Sequence, residues 1–86
     1  MIQKISVPVS VDLSFNHHTR TVLPVRLIFE GRNHLIRRIG FHHVYREGRT
    51  LYHVFSVASD TLFFRLVLNT DNLHWQLEEI SDGEVV

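Results

Sequence analysis

Apolar and polar residues alternate with a period of two along most of this chain. In residues 5–13, Ile5, Val7, Val9, Val11 and Leu13 fall on one side and Ser6, Pro8, Ser10 and Asp12 on the other, which predicts a half-buried strand. Pro8 has no amide hydrogen for a ladder, so this strand is expected at an edge or with a bulge. Asn16-His17-His18-Thr19-Arg20 reads as a loop, and residues 22–30 as a second strand with Val25, Leu27 and Phe29 on one face. Gly31-Arg32-Asn33 predicts a hairpin turn, because glycine supplies the positive φ such turns need.

Residues 34–46 are long enough for one strand that bends, and Gly40 marks the bend. Glu47-Gly48-Arg49 is the next turn. Residues 50–58 are rich in β-branched and aromatic side chains and predict a fourth strand. Residues 61–68 and 73–80 alternate cleanly and give the last two, separated by Asn69-Thr70-Asp71-Asn72. No stretch carries a helical period. The expectation is an all-β fold: a small curled antiparallel meander of about six strands, closed as an SH3-like or similar small barrel to hide its core and edges. An open sheet that dimerises to cover one face is the alternative.

The chain's 86 residues make one domain, expected over residues 1–80, with residues 81–86 as a flexible acidic tail. Hydrophobic residues make up 44% and charged ones 21%, a globular balance that argues against disorder. There is no cysteine, which excludes disulfides and thiolate metal sites and leans toward the cytoplasm. The first residues lack an apolar stretch of signal-peptide length, and no run is long enough to span a membrane, so no membrane partner is expected.

The net charge is zero but unevenly spread. Residues 20–65 hold eight arginines against Glu30, Glu47 and Asp60, whereas residues 71–86 hold five acids and no base. One reading pairs the two regions across the sheet. The other gathers Arg26, Arg37, Arg38, Arg46, Arg49 and Arg65 into a stripe beside exposed Phe41, Tyr45, Tyr52 and Phe63. Such a stripe would bind nucleic acid, since arginine neutralises phosphates and aromatic rings stack on unpaired bases. Trp75 and Phe64 lie on apolar sides and are expected in the core.

Residues 24–82 also carry a set of short motifs. Pro24 opens a strand, Phe29-Glu30-Gly31-Arg32 forms a turn, and Tyr52-His53-Val54, Phe64-Arg65-Leu66 and Trp75-Gln76-Leu77 follow, with Ile80 and Asp82. In this the chain resembles a family of small bacterial domains of unknown function. They occur at the C-terminus of Y-family-type, error-prone polymerase-like proteins and as short stand-alone proteins. The chain departs from that pattern where the family tends to carry Trp, at Phe29 and near His42-His43. The resemblance implies a small β domain associated with DNA repair or replication, with a polymerase-like protein as partner and no known catalytic residues.

Histidine is abundant, with seven in the chain. Three imidazoles and a water can hold zinc, and His42, His53 and His74 on adjacent strands come nearest to such a set. His53 shares an apolar face with Leu51, Phe55 and Val57, where a lone histidine is more often a hydrogen-bonded core residue. No HExxH or CxxC motif occurs, so no metal or other cofactor is expected. No nucleophile elbow, P-loop or paired-carboxylate motif occurs either, so the chain is not expected to be an enzyme. The expected function is a non-catalytic module binding nucleic acid or a repair or replication assembly. A protein-interaction or homodimerising sheet and a histidine-based metal or pH-sensitive site are the alternatives.

Overall fold

The computed structural model describes residues 2–82, which form seven strands in one sheet. They are β1 (Ile2–Asn16), β2 (Thr21–Phe29), β3 (Arg32–Leu35), β4 (Arg38–Glu47), β5 (Thr50–Ala58), β6 (Phe63–Asn69) and β7 (His74–Ser81). The order across the sheet is β3-β2-β1-β7-β6-β5-β4, and every pairing is antiparallel. Successive strands pair everywhere except between β3 and β4, and β1 pairs with β7. The topology is therefore an up-and-down ring opened once and curled into a half-barrel. The described residues include no helix long and apolar enough to cross a membrane.

The seventh strand arises because the long bent segment divides. Ile36 and Arg37 leave the ladder between β3 and β4, and their amides point to opposite edges of the opening. The Ile36 N–H donates to the Val25 carbonyl at 3.0 Å, and the Arg37 N–H donates to the Ala58 carbonyl at 2.8 Å. The backbone thus spans from β2 to β5 where the ring is open. Gly40 carries the expected irregularity, since the β4–β5 register shifts between Ile39 and Phe41.

Other boundaries move for local reasons. The β2–β3 turn is Glu30-Gly31, one residue earlier than the sequence predicts. Both residues are left-handed, at φ 52° and 74°, as a type I′ hairpin requires, so the strand resumes at Arg32. β1 runs to Asn16 because β2 keeps pairing with it there. The expected acidic tail starts inside β7, where Ser81 pairs with Ile2 and Phe63; residues 83–86 lie outside the described residues.

Side chains that share a face fall into rows across the strands. One inner row is Val7, Leu77, Leu66, Phe55 and His42; the next is Val9, Trp75, Leu68, His53 and Val44. The core comprises Leu27, Phe55, Val57, Phe64, Leu66, Leu68, Trp75 and Leu77, with Trp75 and Phe64 buried as expected. Each such side chain contributes about 1.5–3 kcal/mol of transfer free energy. His34 of β3 meets the ring of Phe64 edge-on at 5.2 Å, so the open end of the ring folds over the core.

Candidate nucleic-acid interface

Alternation places the even and odd positions of β4 on opposite faces beyond the Gly40 bulge. Phe41, His43 and Tyr45 project from the outer face, while His42 and Val44 face inward. The outer rows run Phe41, Ser56, Arg65 and Glu79, then His43, Val54, Val67 and Gln76, then Tyr45, Tyr52, Asn69 and His74. Among the described residues β4 pairs only with β5, so its outer-face aromatics stand at a sheet margin.

These aromatics are accessible. Phe41 is 59% exposed, Tyr45 39% and Phe63 42%. The Tyr45 and Tyr52 rings are stacked with centroids 5.0 Å apart and planes 15° apart, and Phe41 lies 5.1 Å from His43. Beneath them Val54 is fully buried although it belongs to the outer face. The rings therefore form a platform rather than isolated projections. Burial, reinforced by Glu78, Tyr52 and Glu47 and opposed by Arg65, pushes the Tyr45 phenol above its usual pKa. Tyr45 stays protonated and able to donate throughout the physiological range. His43 Nδ1 is buried without a hydrogen-bond partner among the described residues.

The six candidate arginines do not form one stripe. Arg26, on β2, is held by Asp12 through a 2.6 Å Nε hydrogen bond and a second contact. Arg37, in the link before β4, binds Asp60 at 2.9 Å. Arg65 lies 3.4 Å from Glu78 and 3.9 Å from Glu79, so the basic middle and the acidic end of the chain do pair at this point. Its Nε has no well-aligned partner. Arg38, Arg46 and Arg49 have no carboxylate partner among the described residues. Arg38 shares the outer face at one end of β4 and Arg49 stands in the turn at the other, while Arg46 falls on the inner face, opposite Leu51.

The candidate metal set does not assemble. His42 and His53 meet on the inner face, but His74 sits opposite Asn69 in an outer row. The described residues contain no group of three His, Asp or Glu side chains that could hold a metal ion.

Comparison with protein-family models, with curated proteins and with solved structures finds no match. The resemblance of residues 24–82 to the polymerase-associated domains therefore rests on its motifs alone.

Of the predicted site residues, the fold brings Arg38, Arg49 and Tyr45 to one margin, sets Arg65 in the Phe41 row but beside Glu78 and Glu79, turns Arg46 to the inner face, and leaves Arg26 and Arg37 paired with Asp12 and Asp60. His43 joins that margin as well. The signal is its parity with Phe41 and Tyr45, which counting histidines does not reveal.

Proposed function

We propose that this protein is a non-catalytic module that binds single-stranded nucleic acid across the outer face of β4 and β5. The observation that carries the reading is the row of Phe41, His43, Tyr45 and Tyr52, bracketed by the uncompensated Arg38 and Arg49. Exposed rings stack on bases without regard to sequence, and each stacked base is worth about 1–3 kcal/mol. Guanidinium groups at both ends of the row, without a carboxylate partner among the described residues, take phosphates in fork geometry. Glu78 and Glu79 beside Arg65 repel a phosphate backbone on the β7 side and confine the strand to β4 and β5. Such a role accords with the resemblance to domains attached to polymerase-like proteins.

Fluorescence anisotropy with labelled single-stranded and duplex oligonucleotides tests this at low and moderate salt. The single strand should bind more tightly. Tyr45→Ala and Phe41→Ala should each weaken binding roughly 5- to 150-fold, following the stacking range. A flat response to both oligonucleotides at low salt rejects the reading.

A further inference from the structure

The two ring nitrogens of His43 are divided between the interior of the sheet and its surface. Nδ1 is sealed from solvent and has no hydrogen-bond partner among the described residues. Its neighbours across the outer row are Val54 and Val67, 0% and 5% exposed, whose side chains offer no acceptor. Nε2 has no partner among the described residues either, but it is not sealed. The ring therefore meets anything that lies on the platform through Nε2 alone.

A neutral imidazole carries one N–H and one lone pair. A proton on Nδ1 would leave a buried donor without an acceptor, and orphaned N–H groups are rarer than under-satisfied acceptors. The proton of the neutral ring therefore belongs on Nε2. A doubly protonated ring also donates from Nε2. In both forms His43 gives a hydrogen bond at the platform surface and accepts none.

From this we infer that His43 makes the platform select bases by the group they carry on the edge farthest from the sugar, favouring keto bases over amino bases. The inference rests on the β4–β5 interface proposed above and names what that interface reads. Uracil, thymine and guanine carry a carbonyl oxygen on that edge, which accepts, whereas cytosine and adenine carry an amine, which donates. A donor-only group bonds the oxygen and sets donor against donor at the amine. The glycosidic bond holds the other pyrimidine carbonyl beside the sugar. With the backbone held by Arg38 and Arg49, the far edge is the one that reaches the ring between them. His43 stands two residues from both Phe41 and Tyr45 on the same face, and its ring is 5.1 Å from that of Phe41. Phe41 and Tyr45 stack on either class of base, since every base has a π-face. The Tyr45 hydroxyl can donate or accept and adds no such bias. The choice falls to His43.

Oligo(dU) and oligo(dC) of equal length test this, because they differ on the far edge and neither carries the thymine methyl group. Anisotropy titrations of the full chain should show tighter binding of oligo(dU), by roughly 2- to 12-fold for one hydrogen bond. His43→Phe keeps a ring and removes both nitrogens, so it should abolish the preference. His43→Gln should abolish it too, because its amide can turn either the N–H or the oxygen outward. Nitrogen–proton correlation spectra of the free protein should show the neutral His43 ring protonated on Nε2. Equal binding of the two oligonucleotides, a preference that survives in both variants, or a proton on Nδ1 would overturn the inference and leave the β4–β5 interface standing. Failure of both oligonucleotides to bind at low salt would remove that interface, and this inference with it.

Discussion

Nε2 of His42 lies 2.8 Å from Nδ1 of His53 across the β4–β5 ladder. The ring centroids are 5.1 Å apart with planes at 22°, so the imidazoles meet edge to edge rather than face to face. One nitrogen donates and the other accepts, which leaves no room for a proton on both. The His42 ring also lies flat on Phe55, with centroids 4.2 Å apart and planes at 9°. An edge strand is thus fastened to the core by a hydrogen bond whose two members compete for one proton.

That competition sets a pH dependence. Burial against Phe55, then the positive forms of His53 and His43, hold the His42 pKa below the ordinary histidine value. An unfolded histidine takes its proton near pH 6.5, so just below that point the unfolded chain binds more protons than the folded one. The contribution is fully present above pH 6.5, is lost progressively as the pH falls from there, and levels off below the folded pKa. Urea midpoints measured from about pH 7.5 to 5.5 avoid most carboxylate titration and should fall across this window. His42→Gln should flatten the fall, whereas His17→Gln, in the exposed β1–β2 loop, should leave it unchanged. An equal slope in the His42 variant would exclude this coupling.

Removing a fully buried side chain at the centre of the inner rows should cost far more than trimming an exposed one on β4. Leu66 and Leu77 face one another and are fully buried. Leu77→Ala should destabilise by about 2–5 kcal/mol, the usual cost of a large-to-small core change. For a domain of this size each kcal/mol lowers the melting temperature by about 4–8 °C, so calorimetry resolves the effect easily. The exposed Val44→Ala on β4 should change stability by less than about 1 kcal/mol.

The glycines separate backbone strain from packing. Gly31 and Gly48 have φ of 74° and 61°, and a Cβ at either would meet nothing within 4 Å. Alanine there should cost about 1–2 kcal/mol from the left-handed backbone alone. A Cβ at Gly40 would stand 3.6 Å from the Ser56 carbonyl, an ordinary contact, and no positive φ is imposed there. Gly40→Ala should therefore be neutral or gain up to about 1 kcal/mol, because glycine in a strand carries an entropic cost. Chemical denaturation of the three variants side by side should return that order.

What the sequence reveals about this molecule follows from its period. Alternation in residues 50–58 and 61–68 identifies β5 and β6 and assigns Phe55, Phe64 and Leu66 to the core, although Val54, Ala58 and Val67 on the other face are buried as well. The division at Ile36 and Arg37 is not legible, since both residues suit a strand and only the two edges of the open ring decide where their amides go. Charge counting also fails for the arginines. Arg26 meets Asp12 because β1 and β2 align there, and Arg37 meets Asp60 across 23 positions of chain. Those partners depend on register, which residue types alone do not set. Tyr45 and Phe41 share a face by parity, so the aromatic part of the candidate interface is legible where its charge is not.

The arginine count also fixes how binding should respond to salt. Arg38 and Arg49 flank the ring platform, and Arg46 stands on the other face of the same strand. If the first two contact phosphates, log K for a single strand should fall against log salt with a slope of about −1.4, and a third contact from Arg46 would steepen it to about −2.1. A fourfold rise in salt then weakens binding by roughly 7- to 18-fold. Arg49→Ala should reduce the slope by about 0.7. Arg26→Ala and Arg37→Ala should leave it unchanged, because Asp12 and Asp60 already neutralise those charges. Anisotropy titrations at four or five salt concentrations distinguish these values. A slope that responds equally to all the arginine variants would mean that net charge, rather than the β4 margin, attracts the nucleic acid.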